Sequence, residues 1–300
     1  MSASEDGPSA AKVARHGEAC LPLLRVGFCG VDESVAPEDV VEISRERAPW
    51  AEWGVLFRPE KEGQPRFPSM KWVEDSLCKV VCKANHQTGV PTVLLAAHLC
   101  SSRCEQVLNG DVSFVERLFA LGFRRVQVNA TKANNVDSSN LAAQVDNVTK
   151  CIAALPAMEW ILQRNEETRA LWEPLLARKD TLFNMSVLFD DSVGTGVERT
   201  TFPRPDVAEG LPCGYAGGIG PHNISKVLAG IASSAIDDFT DSSASHRAPW
   251  IDMESSLREK NADGQDIFSL ARCRQCIDQV DAECKSGAVK VLVHSFTASV

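Results

Sequence analysis

The residues able to do chemistry in this chain cluster at the ends of short apolar runs. Cys29 closes LLRVGFCG (23–30), and Arg66 lies in the stretch after WGVLF (53–57). His98 closes TVLLAAH (92–98), and Gln127 and Asn129 alternate in RVQVNA (125–130). Asn165 ends EWILQRN (159–165), and Asp190 and Asp191 end MSVLFDD (185–191). Asp252, Ser255 and Ser256 follow in WIDMESS. A thiol and carboxyl groups can exchange protons with a small polar substrate. An arginine beside them can fork onto a carboxylate or phosphate. Singly, each has a plainer reading: Cys29 as core filler, Asp190 or Asp191 as a helix cap, His98 as a satisfied buried histidine.

GYAGGIGPHNIS places glycines at 214, 217, 218 and 220 before a helix expected to start near Pro221. Glycine lets a backbone approach a ligand closely, and a helix N-terminus presents free N–H groups to an anion. With the serine pair of the next run, Gly217, Gly218 and Gly220 read as a phosphate cradle.

Positioning these groups requires the apolar runs to be strands. There are eight, GYAGGIG (214–220) and WIDMES (250–255) completing the set, and they read as buried on both faces. Between most of them lie stretches with apolar residues at helical spacing, such as APEDVVEISRER and RALWEPLLARK. Strand and helix alternating eight times is the pattern of an α/β (β/α)₈ TIM barrel, preferred over a doubly wound sheet of fewer strands. In such a barrel the loops after the strands converge on one rim, which would gather the residues above. GVERTTFPRPDVAEG and DDFTDSSASHRAP read as loops, and AVKVLVHSFTASV as one extra C-terminal strand. Residues 1–20 are expected to be a mobile N-terminal tail, and 21–300 a single barrel domain.

Composition narrows the partners. The chain has 300 residues and a formal net charge of -9, with no sustained basic run, which argues against nucleic acid and anionic membranes. No apolar stretch approaches the roughly 18 residues of a membrane span. The polar, acidic start lacks the features of a secretory signal, so a cytoplasmic protein is expected. Eleven cysteines at irregular spacing then read as reduced thiols. The pairs Cys78/Cys82, Cys100/Cys104 and Cys273/Cys276 are each expected on one helix face. No single segment assembles the ligands of a zinc site, so neither a metal nor a cofactor is expected. The oligomeric state is left open.

Several segments, in order, resemble one family. These are FCG (28–30), WGVLFRPEKEGQPRFPS (53–69), VQVN (126–129), VLFDDSVGTG (187–196), YAGGIGPHNI (215–224) and WIDMESSLR (250–258). Together they resemble phosphoribosylanthranilate isomerase, the barrel enzyme of tryptophan biosynthesis, over about Val26 to Phe268. The resemblance implies an Amadori rearrangement of a phosphorylated ribosylamine, with a small phosphorylated sugar as the partner. Cys29 would be the general base, held as thiolate by a nearby cation, and Asp190 the general acid. Arg66 would pair with the substrate's aryl carboxylate. Gln127, Asn129 and Asp252 would line the substrate, while Gly217, Gly218, Gly220, Ser255 and Ser256 would hold its phosphate. The chain departs from the family at Asn129-Ala130, where His-Gly stands, and at LLAAHLC on the third strand. Two other readings stay open: a barrel acting on a different phosphosugar as lyase or epimerase, and a non-catalytic relative binding a phosphorylated metabolite or a protein.

Overall fold

The computed structural model describes residues 20–190, 201–208, 210–235 and 248–292. The expected tail before Cys20, and Asp191, lie outside these residues. A short strand, β1 (Leu21–Leu23), precedes the eight barrel strands. Those are β2 (Arg25–Cys29), β3 (Ala51–Phe57), β4 (Leu94–Leu99), β5 (Arg125–Val128), β6 (Glu159–Arg164), β7 (Met185–Phe189), β8 (Cys213–Tyr215) and β9 (Trp250–Met253). All pair in parallel with their neighbours, and β9 closes on β2 through Val26↔Ile251 and Gly27↔Asp252. The fold is a closed eight-stranded (β/α)₈ barrel, as the sequence pattern predicts.

Helices cover the outside: α1 (Pro37–Glu46), α2 (Met70–Trp72), α3 (Lys79–Thr88), α4 (Ser102–Leu108), α5 (Ser113–Ala120), α6 (Leu141–Ala154), α7 (Arg169–Leu176), α8 (Ile224–Ser234) and α9 (Leu270–Ser286). A π turn, Val73–Cys78, joins α2 to α3. The ends follow local chemistry. Proline opens α1, with Glu38 and Asp39 in its first turn and Arg45 in its last, matching the helix dipole. The Ser269 hydroxyl accepts the Arg272 N–H to cap α9, and Gly287, at φ 83°, ends it in the left-handed conformation. Under the helices lie the outward strand residues, among them Val26, Phe28, Trp53, Val55, Val126, Val128, Trp160 and Val187.

The strands are buried on both faces as expected, but their inward faces are not apolar throughout. Deep in the barrel, Arg125 donates to Glu52 at 2.5 Å and to Glu159 at 2.9 Å, while Arg25 donates to Glu52 at 2.6 Å. The Arg125 guanidinium lies 4.2 Å from the centre of the Trp250 ring. Ile161, Leu188, Ala216 and Trp250 form a small separate apolar cluster.

Outside the barrel, the extra C-terminal strand is present as expected, while a hairpin and two cysteine pairs differ from expectation. The segment after β9 continues into an antiparallel hairpin, β10 (Arg258–Lys260) with β11 (Asp266–Phe268), that the strand pattern did not signal. The C-terminal strand, β12 (Val289–Val291), pairs in parallel with β1 outside the barrel, Leu21 facing Val289. Two cysteine pairs do not share a helix face. Cys100 follows β4 directly, before α4 begins, and Cys78 is buried while Cys82 is exposed. Cys273 and Cys276 are both buried on α9. Among the described residues no helix is long and apolar enough to cross a membrane.

Candidate functional site

At the C-terminal mouth of the barrel lies a cavity of about 310 Å³, near the small end of ligand pockets. Its wall follows from strand parity, because alternate residues face inward. β4 contributes His98, β5 Gln127 with Asn129 beyond it, and β6 Gln163. Leu188 and then Asp190 come from the β7 side, Asp252 from β9 and Glu254 from just beyond its end. The loop after β8 adds Gly217, Gly218 and His222, and the short 3₁₀ turn after β9 adds Ser255 and Ser256.

Of the expected residues, Asp190, Gln127, Asn129, Asp252, Gly217, Gly218, Ser255 and Ser256 therefore meet around one space. Asp190 is buried and accepts the Gln163 side-chain N–H at 2.7 Å. The opposite amide atom, Gln163 Oε1, is buried and has no hydrogen-bond partner among the described residues. Gln127 donates to Asn129 Oδ1 at 2.7 Å, fixing the orientation of both amides. Gly217 and Gly218 adopt φ of 106° and 63°, which turn the chain sharply at the cavity edge.

Gly220 does not join them. Its N–H is taken by Asn223 Oδ1 at 2.9 Å, and the helix it was expected to open begins only at Ile224. Asn223 is the residue that ends the loop, since its side chain also donates to the Gly218 carbonyl at 3.0 Å. Ser256 is also partly committed, donating its hydroxyl to the Ile219 carbonyl.

Cys29 and Arg66 differ from the sequence reading in their surroundings. Cys29 lies behind the cavity wall rather than on it, 1% exposed among Leu56, Phe67 and Cys100. Burial pushes its thiol well above the ordinary value, and Asp252, Glu254 and Cys100 push the same way, while Arg66 pulls against them. The surroundings of Cys29 therefore work against the cation-stabilised thiolate expected from sequence, the pull of Arg66 being the smallest of these effects. Arg66 is held at the rim with φ 79°, its backbone N–H on Asp32 Oδ2 at 2.6 Å. Its guanidinium is paired with Glu254 at 2.9 Å rather than standing open for a substrate carboxylate.

Burial also raises Asp252 well above the usual carboxylate range, helped by Glu52 and Glu254 and opposed by Arg125. It likewise raises Glu254, against the pull of Arg66 and Arg258. His98 is drawn down to about 4 by its burial and is a neutral imidazole at ordinary pH. Burial thus works against ionisation at three wall residues, Asp252, Glu254 and His98.

Glu254, Gln163, His222 and the buried ion network around Arg125 were not singled out from sequence. Parity was the missed signal: once Gln127 and Asp252 are placed inward, Arg125 and Glu254 lie two residues away on the same face. His222 carries no such signal, since it sits in a loop.

No family model and no curated protein matches this sequence. Solved structures that resemble it include phosphoribosyl anthranilate isomerase from Thermus thermophilus, at 18% identity and a TM-score of 0.45, covering 86% of this chain and 99% of that one. The isomerase of the same name from Thermococcus kodakaraensis is 11% identical with a TM-score of 0.39, over 86% and 99% of the two chains. A Rubisco-like protein from Rhodopseudomonas palustris is 13% identical with a TM-score of 0.40, over 88% and 64%. Likeness this distant does not choose among activities, and the barrel assignment rests on the strand pairing itself.

Proposed function

We propose that this barrel is an enzyme of the phosphoribosylanthranilate isomerase type, rearranging a phosphorylated ribosylamine by acid–base chemistry. One observation carries the reading. The Gly217-Gly218 turn, Ser255, Asp190 and Glu254 all line a single cavity, which gathers a candidate anion cradle and two carboxyl groups around one space. Loops after the last two strands are a common phosphate site in barrels. The phosphate would take N–H groups of the Gly217–Ile219 turn and the Ser255 hydroxyl. Asp190 protonates the ribose ring oxygen, and Glu254 takes the C2 proton in place of Cys29, which is recessed behind the wall and whose burial opposes the thiolate. Gln127 and Asn129 hold sugar hydroxyls. A substrate carboxylate reaching Arg66 would displace Glu254 from its ion pair and free it to act as base.

A second reading, a different phosphosugar without an aryl carboxylate, draws on that same Arg66–Glu254 pair, which leaves the guanidinium engaged. Turnover of N-(5-phosphoribosyl)anthranilate by the purified chain separates the two, together with rescue of a tryptophan auxotroph lacking the isomerase. Rearranged product and growth support the first reading. No turnover, with thermal stabilisation by ribose 5-phosphate, supports the second, because bound ligand raises stability by mass action.

A further inference from the structure

The strands β9, β2, β3 and β4 are neighbours, and they bring three unlike donor groups together. The Sγ of Cys29, a ring nitrogen of His98 and a carboxylate oxygen of Asp252 all lie within 4.8 Å of one another. None of the three side chains has a hydrogen-bond partner among the described residues. His98 is only 4% exposed, yet it reaches the cavity wall.

Two glycines make the approach possible. A methyl group on Gly54 would stand 2.9 Å from the Cα and Cβ of Cys29 and 2.9 Å from His98 Nε2, closer than such atoms pack. Gly27 is paired with Asp252, and a methyl there would overlap its carboxylate. Glycine within a strand weakens it and commonly marks a place where other groups must come close. Here both bare positions border the same three side chains.

We infer that Cys29, His98 and Asp252 form a binding site for a divalent metal ion, with zinc the best match. A thiolate, an imidazole and a carboxylate are the donor types that zinc accepts. Ligand bonds of about 2.0–2.3 Å put tetrahedral donors about 3.5 Å apart. The side chains must therefore close by roughly 1 Å, a torsional adjustment. His98 and Asp252 both line the cavity, so the fourth position faces it and takes water or an oxygen of a bound ligand. Three protein ligands and one open position is the arrangement of reactive rather than structural zinc. An ion there would act as a Lewis acid on a carbonyl or hydroxyl oxygen in the cavity. This inference concerns ion binding and stands apart from the identity of the substrate.

The test uses the full chain, freed of any affinity tag, treated with chelator and titrated with Co²⁺. One equivalent should produce a thiolate-to-cobalt charge-transfer band, and Zn²⁺ should displace it. Cys29→Ser and His98→Gln should each abolish the band and weaken binding by more than about 100-fold, the most that loss of a merely supporting partner does. Replacing the exposed Cys20 and Cys82 with serine should leave the band unchanged. No band in the wild-type chain, or a band that survives both site variants, overturns the inference. X-ray absorption on the zinc-loaded wild-type chain needs no variant and guards against misfolding. A shell of one sulfur with nitrogen and oxygen supports the site; a shell without sulfur, or with several, refutes it.

Discussion

Asp190 can be tested without disturbing much else, because its amide partner Gln163 can also hold an asparagine. If Asp190 carries a proton in the reaction, Asp190→Asn should lower kcat by about 10²–10⁴-fold. Phosphate-ligand affinity should stay nearly unchanged, since the cradle is built from the loops after β8 and β9. A Kd that weakens as much as kcat falls would make Asp190 a binding group instead. The cradle has its own test. Ser255→Asp puts a negative charge beside Gly217 and Gly218, and thermal stabilisation by ribose 5-phosphate should disappear. Persistence of that stabilisation would place the phosphate elsewhere on the rim.

Between elements, a buried ion pair ties the rim together: Arg258 and Asp32, at 2.8 Å and 4% and 5% exposed. Asp32 also receives the backbone N–H groups of Ser34 and Arg66, and Arg258 donates to the Gly30 carbonyl at 2.9 Å. One carboxylate thus holds together the loops after β2 and β3 and the β10–β11 hairpin. Removing one member leaves the other charged and buried, so Arg258→Met should lose about 3–5 kcal/mol in urea unfolding. A loss under about 1 kcal/mol would mean that solvent reaches the pair.

How far the elements were readable follows from the same residues. The eight strands were legible because their outward faces, such as Val126 and Val128 or Trp160 and Leu162, are apolar wherever helices cover them. The inward faces were not, since an apolar run and a half-polar one look alike when glycine and alanine intervene, as in GVLF and LAAH. The hairpin after β9 escaped notice because three-residue strands leave almost no alternation to read. Asn223, which sets the true start of α8, sits two residues beyond the Pro221 that drew attention. Cys29 and Asp190 were identified as strand-end residues correctly, but nothing local to Cys29 signals the carboxylates that surround it.

The molecule as a whole carries charge in its interior, and this sets a pH response. Burial opposes ionisation of Glu52 and Glu159, but Arg125 and Arg25 outweigh it and hold both carboxyls below their ordinary value. The unfolded chain then takes up protons first as pH falls. The stability these groups contribute is complete above about pH 4.5. It drains away as pH drops through their lower folded values. The urea midpoint should therefore decrease from pH 5 toward pH 3, and less steeply in Glu52→Gln. Equal slopes in both proteins would show that the network does not stay ionised in the fold.

The pairing of β1 with β12 makes the start of the described chain wait for its end. During synthesis, β2 through β8 emerge with no β9 to close them, and Leu21 and Leu23, fully buried in the finished protein, have no partner. Each closure joins residues nearly a whole chain apart, the kind of contact that forms late and slowly. The barrel edge and these leucines are exposed to other chains throughout that interval, when aggregation competes with folding. The clasp is thus a timing device as well as a bond: protection from proteolysis at the N-terminal strand should appear only after residues near Val291 have been made.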